Sequence, residues 1–210
     1  MIDFRAVVAF AIAAALLTLT PGLDTALVLR TAAVEGTAHA RFALAGICTG
    51  LFVWGSATSL GLTALIAVSA VAYNILRAAG AIYLVYLGIP MWRREHKFAV
   101  AAAGPSLTGE PPHRWFARGL LTNLLNPKVG VFYVTLLPQF IPSGGSVIFY
   151  SLLYTSIHVV EGIIWLTILT SAVRPLRLWL SRPAVVRALD RGTGAVLIGC
   201  GVALAFERRN

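Results

Sequence analysis

From Phe42 to Leu76 the chain runs 35 residues without one charged side chain. An α-helix rises ~1.5 Å per residue, so a straight helix of that length would far overrun a hydrocarbon core of roughly 30 Å. The stretch must fold back as two spans. Composition agrees: hydrophobic residues make up 58% of the 210 positions and charged residues 12%, about half the charged share of an ordinary soluble domain. No soluble domain of this size could hide so much apolar surface, so the chain is all-α and polytopic, with the lipid bilayer as its solvent. Six transmembrane helices fit the pattern, at roughly 6–29, 42–66, 71–92, 117–140, 147–172 and 188–206. The first resembles a leader at its start ("MIDFRAVVAFAIAAALLTLTPG") but continues as "LDTALVLR" without a convincing cleavage site, and reads as retained. The sixth is short and is expected to draw in Asp190 and Arg191 as snorkelling ends.

The net charge of +9 sits in loops rather than on one polar face, which argues against a nucleic-acid partner. The 93–118 loop holds Arg93, Arg94, Lys97, Arg114 and Arg118 against Glu95 and Glu110, and the 173–191 linker carries five Arg, one Asp and Trp179 as an interfacial anchor. The 66–71 and 138–146 loops carry no charge. The positive-inside rule then places the first, third and fifth loops in the cytoplasm and both termini outside, with Arg208 and Arg209 running against it. Cys48 and Cys200 lie within spans and act as small apolar residues there. Flexible composition is confined to 99–113, "AVAAAGPSLTGEPPH".

The chain also repeats itself. "LRAAGAIYLVYLG" aligns with "DRGTGAVLIGCGV", matching Arg77 to Arg191, Gly80 to Gly194 and Ala81 to Ala195 at an offset of 114. "TPG" at 20–22 aligns with "NPK" at 126–128 at 106, and Trp54 with Trp165 at 111. Each match alone is within the reach of chance, but the offsets drift as unequal loops would make them. One transporter domain is expected, with repeat one at about 1–95, a basic loop at about 96–116 and repeat two at about 117–210. A duplicated three-span unit must re-enter from the opposite face, giving two inverted repeats. Secondary transporters of this plan bind their solute near the midplane, where broken helices meet.

Both repeats open with such a break: "LTPGLD" at 19–24 and "LLNPKV" at 124–129. Pro21 and Pro127 lack an N–H and obstruct the carbonyl four residues back, so carbonyls near 17 and 123 lose their donors. Unpaired backbone at membrane depth persists only where protein buries it or a wet cavity meets it. A proline kink alone would be unremarkable in a membrane helix. Each break, however, carries an ionisable residue, Asp24 and Lys128, and Asn123 and Asn126 stand beside the second with amides that need partners. Charges inside a bilayer mark function by default. Opposite signs at two breaks suit a zwitterion, its ammonium on Asp24 and its carboxylate on Lys128 or on freed helix N–H groups; the alternative is a structural Asp24–Lys128 pair. Pro21, Gly22, Asp24, Asn123, Asn126, Pro127 and Lys128 are the candidate substrate-binding residues.

In the fifth span Tyr154, His158, Glu161 and Trp165 recur on one helical face. Glu161 has no charged neighbour in its span, and a carboxyl taken out of water readily holds a proton. Glu161 is a candidate proton carrier beside Asp24, with His158 as relay; alternatively, His158 and Tyr154 satisfy one another.

The stretches "LTPGLDTALVLRTAAVEGTAHARFALAGICTG", "LRAAGAIYLVYLGIPMWRR" and "FARGLLTNLLNPKVGVFYVTLLPQFI" resemble the LysE/RhtB family of amino-acid exporters over nearly the whole chain. The most specific elements are Pro21, Gly22 and Asp24, then Asn126, Pro127 and Lys128, then the Tyr-Leu-x-Tyr-Leu-Gly from Tyr83 to Gly88. The resemblance implies an inner-membrane carrier expelling amino acids or close analogues, coupled to the proton-motive force. Leu23 departs from it, standing where the family usually has a second proline. Its substrates range from basic amino acids to homoserine, threonine and leucine, and the motifs do not separate them. Other classes fit less well. No HExxH or GxSxG motif points to an enzyme, and His39, His96, His113 and His158 are too scattered for a metal site. A channel, or an exporter of another small solute or cation, is the alternative, though two carboxylates beside a lysine serve a hard divalent ion poorly. No cofactor is called for, and nothing in the spans forbids a homo-oligomer.

Overall fold

A computed structural model of the chain describes residues 3–68, 110–171 and 182–206, with isolated helical positions between Ile75 and Trp92. The expected third span, with Arg77, Gly80, Tyr83 and Gly88, and the basic segments at 93–109 and 172–181 therefore lie wholly or largely outside the described residues. Among the described residues all regular structure is helical.

Helix α1, Phe4–Leu19, starts where the Asp3 carboxylate accepts the Arg5 N–H at 2.9 Å, a side-chain N-cap. It stops at Pro21, and α2, Leu23–Val34, leaves at 52° to it. Gly36, at φ +93°, then supplies the left-handed residue that turns the chain into α3, Thr37–Val68. The second half repeats the opening move. Helix α4, Pro112–Leu124, breaks before α5, Pro127–Val131, which runs on through a π turn at Phe132–Leu136 and a 3-10 turn at Leu137–Phe140; the bend is 54°. Two breaks of nearly equal angle in corresponding places are what an inverted repeat requires. Helices α6, Val147–Ser171, and α7, Pro183–Phe206, complete the described chain. By length and composition α3 and α6 each suffice to cross a bilayer, and each bent pair suffices as one broken span.

The bundle is apolar outside as well as in its core, and what polar groups it has in the helices are turned inward, unlike a soluble domain. Helix α6 buries Ser151, Tyr154, Thr155 and His158, and exposes Ile148, Phe149, Leu152, Val160, Ile163, Ile164 and Ile168. Such a face is stable only against lipid. With no hydrophobic drive between helices there, close backbone approach takes over. Gly46 of α3 lies against the Phe116 carbonyl and Gly119 of α4 against that of Ala43, leaving no room for a Cβ at either position. An aromatic knot of Phe10, Phe132, Phe140 and Tyr154 ties α1 to the end of the second broken span and to α6, with ring centroids 4.6–5.6 Å from Phe10. These contacts bring the two breaks face to face.

Candidate functional site

At the first break Pro21 leaves the Leu17 carbonyl without its helical donor. Thr20 folds back instead onto Leu16, its N–H at 3.1 Å and its hydroxyl at 2.7 Å from that carbonyl. The Leu17 carbonyl is met from the other half of the molecule: Lys128 Nζ donates to it at 2.8 Å, and to the Thr20 carbonyl at 2.9 Å. Lys128 can do this because Asn126 starts α5 there, its side chain accepting the Lys128 N–H at 3.2 Å.

The second break is repaired differently. Pro127 strips the Asn123 carbonyl of its donor, but the Asn126 N–H takes that carbonyl at 3.1 Å. The carbonyls at 17 and 123 are thus not equivalent: one binds a side chain from the opposite repeat, the other its own backbone. The fully buried Asn123 side chain reaches across and donates to Asp24 Oδ2 at 2.8 Å. Gly50 permits this, because a Cβ there would fall 2.5 Å from Asn123 Oδ1. The other carboxylate oxygen, Asp24 Oδ1, is buried without a well-formed hydrogen bond among the described residues, although the Asn126 side chain also acts on the carboxylate. Asp24 and Lys128 act on each other electrostatically, yet each has hydrogen-bond partners of its own.

Between the breaks lies a cavity of about 50 Å³. Gly22, Asp24, Asn126, Lys128 and His158 line it. So do residues that sequence reasoning missed: Leu17, Thr18, Thr20 and Thr25 around the first break, Ile47 and Leu51 of α3, Val129 of α5, and Gly162 and Leu166 of α6. Pro21 and Pro127 shape the breaks rather than line the space, and Asn123 stands behind Asp24. Thr20 and Thr25 were within reach of the sequence, lying beside the break; the aliphatic wall of α3 carries no local signal.

His158 does not pair with Tyr154. Its Nδ1 lies 3.2 Å from the Tyr133 hydroxyl with the rings stacked at 5.7 Å, while the Tyr154 hydroxyl donates to the Phe140 carbonyl at 2.9 Å. Tyr133 was missed; a tyrosine buried in the bundle needs a polar partner, and His158 supplies it. Glu161 lies outside the cavity lining, half-buried, with Oε2 buried and unpartnered among the described residues. Trp165 is likewise half-buried.

Chemically, the cavity offers one anion, one cation, hydroxyls and apolar walls, with no nucleophile–base pair. Among the described residues no three His, Cys, Asp or Glu side chains gather as a metal site. Residues 15–208 match the sequence model of a family described as LysE type translocator. The chain is 32% identical over 201 residues to a homoserine/homoserine lactone efflux protein of Salmonella typhi, covering 95% of this chain and 96% of the relative. It is 28% identical over 192 residues to a threonine efflux protein of Escherichia coli K12, covering 90% and 92%. An uncharacterized membrane protein of Bacillus subtilis, YrhP, is 29% identical over 195 residues, covering 90% and 93%. No solved structure matches.

Proposed function

This chain belongs to the LysE type translocators, membrane-embedded secondary transporters of amino acids and their analogues rather than enzymes, and on that premise we propose that it exports a small neutral amino acid through the cavity between its two breaks. The substrate ammonium binds Asp24 Oδ1, and its carboxylate binds Lys128 and the N-terminal turn of α2, where backbone N–H groups and the helix dipole favour an anion. Pro21, Gly22, Asn123, Asn126 and Pro127 hold these two anchors in place.

The observation that carries this reading is the exchange between breaks: Lys128 of the second binds carbonyls of the first, while Asn123 of the second holds Asp24 of the first. One carboxylate and one ammonium match one zwitterion. A basic amino acid would bring a further positive charge, and Glu161, the next acid along, does not line the cavity. The Thr18, Thr20 and Thr25 side chains in the wall also favour a hydroxyl-bearing side chain. The relatives named for homoserine and threonine efflux point the same way.

Export is coupled to proton entry, with Glu161 as the proton carrier and His158 and Asp24 connecting it to the cavity. The 93–118 and 173–191 segments face the cytoplasm and both termini face out, following the Arg and Lys excess. The chain forms one domain of two repeats.

Counterflow in proteoliposomes tests the proposal. Vesicles loaded with unlabelled L-threonine or L-homoserine should take up the labelled amino acid faster than empty ones, and L-lysine loading should not accelerate uptake. Absence of trans-acceleration by any amino acid would point to a channel; acceleration by lysine would remove the argument for a neutral substrate.

A further inference from the structure

Past His158 the bundle holds a second set of buried polar groups that the cavity does not use. Helices α3 and α6 run antiparallel, since Ile47 and Leu51 face the cavity with Gly162 and Leu166, while Gly55 lies directly against the Thr155 hydroxyl. One turn further in the same register stand Thr58 and Ser151. Thr58, Ser151 and Thr155 are all buried; the Thr58 and Ser151 hydroxyls find no hydrogen-bond partner among the described residues, and that of Thr155 has only the Tyr133 hydroxyl beside it. Trp54 Nε1, whose ring packs against Gly130, also finds no partner among the described residues.

Several helical hydroxyls elsewhere in the bundle behave otherwise, although that of Thr18, at the cavity, is also buried without a partner among the described residues. Those of Thr20, Thr31, Thr49 and Thr135 each bond the carbonyl four residues back, at 2.7–2.9 Å. That local bond is the usual resort of Ser and Thr inside a helix. Thr58 and Ser151, on facing sides of two helices, forgo it without any replacement, which would be a pure cost as packing, since an apolar side chain of similar size fills the same space without burying a donor. They are explained if a polar guest meets them in another state of the protein.

What separates these hydroxyls from the cavity is the Tyr133–His158 pair. His158 lines the cavity, and Tyr133, bonded to it, is buried on the other side with Thr155 beside it. Tyr133 also rides on the π turn at Phe132–Leu136, a rare helical form frequently found at functional sites.

We propose that Thr155, Ser151 and Thr58 line the far half of the translocation path, and that the Tyr133–His158 pair closes this half off in the present structure. The hydroxyl ladder leads toward the membrane face at which α6 begins, and it hydrogen-bonds water and solute when the path opens to that face. This rests on the carrier reading above but adds to it both a gate and a route.

Single cysteines at Thr58, Ser151 and Thr155, near-isosteric changes, test it in a chain whose Cys48 and Cys200 are replaced by alanine. A Thr18→Cys variant reports the cavity. A membrane-impermeant thiol reagent is added to either side of oriented proteoliposomes. Ser151→Cys and Thr58→Cys should react from the face opposite to the one that labels Thr18→Cys, and several-fold faster when L-threonine is cycling. No reaction from either face, or reaction only from the Thr18 face, overturns the proposal. Tyr133→Phe, which removes only the hydroxyl that meets His158, should raise labelling of Ser151→Cys without substrate; an unchanged rate overturns the gate. Counterflow scores the substrate separately. A chain that fails counterflow yet labels Ser151→Cys from the far face keeps the path and loses the substrate.

Discussion

Lys128 Nζ lies 2.8 Å from the Leu17 carbonyl, 111 residues away in sequence, and that carbonyl is the one whose helical donor Pro21 lacks. The proline in one repeat creates the acceptor that the lysine of the other fills. Asn123 returns the exchange by donating to Asp24 at 2.8 Å. The two breaks are therefore joined, and in the proposed site a solute that takes Lys128 from its carbonyls would loosen the contact between the repeats.

Lys128→Ala should cut efflux by about 10- to 150-fold, the equivalent of one charge-assisted hydrogen bond of about 1.5–3 kcal/mol, while the protein still inserts. Lys128→Arg should recover little, because a planar guanidinium cannot replace a compact ammonium between two carbonyls. Efflux normalised to inserted protein is the readout. Normal transport by the alanine variant would make Lys128 a structural cation.

Gly50→Ala should act at a distance. Its Cβ would lie 2.5 Å from Asn123 Oδ1 and 2.9 Å from Asn123 Cβ, forcing Asn123 away from Asp24. Loss of that hydrogen bond should lower efflux by about 5- to 20-fold. Wild-type transport by Gly50→Ala would show that Asn123 does not position Asp24.

Glu161→Gln separates exchange from coupling. The variant should retain counterflow, since Glu161 does not line the cavity, but should no longer speed up when a pH gradient is imposed. A variant that still responds to the gradient moves the proton carrier elsewhere.

Much of this arrangement was legible in the sequence, for physical reasons. The charge-free runs and the two Pro-centred breaks announce themselves, because only lipid suits the first and lipid penalises the unpaired backbone of the second. Asp24, Asn123, Asn126 and Lys128 stand out as the polar residues beside those breaks. The pairing was not legible. That Asn123 would choose Asp24, that the carbonyl of 17 would stay open to Lys128 while that of 123 would not, and that His158 would prefer Tyr133 to Tyr154 all depend on contacts between distant helices. Hydrophobic periodicity, which assigns faces in soluble proteins, is nearly silent in lipid, where both faces of α6 are apolar and a few buried hydroxyls make the difference. Gly46, Gly50 and Gly119 set those contacts, yet in a sequence with 19 glycines they carry no individual mark.

Orientation is checked at Ser106, within the basic segment. A cysteine there should stay unlabelled by an impermeant reagent in intact cells and react once the membrane is opened. Labelling in intact cells would invert the proposed topology.

The most direct measurement compares Asp24→Asn, Lys128→Gln and their combination for efflux per inserted molecule. If Asp24 and Lys128 serve only to neutralise each other, each single change strands a buried charge and the double change relieves it, restoring folding and transport. If each grips one end of a zwitterion, the double variant inserts at near wild-type levels and remains inactive. The second outcome is expected, and recovered efflux in the double variant would contradict the site.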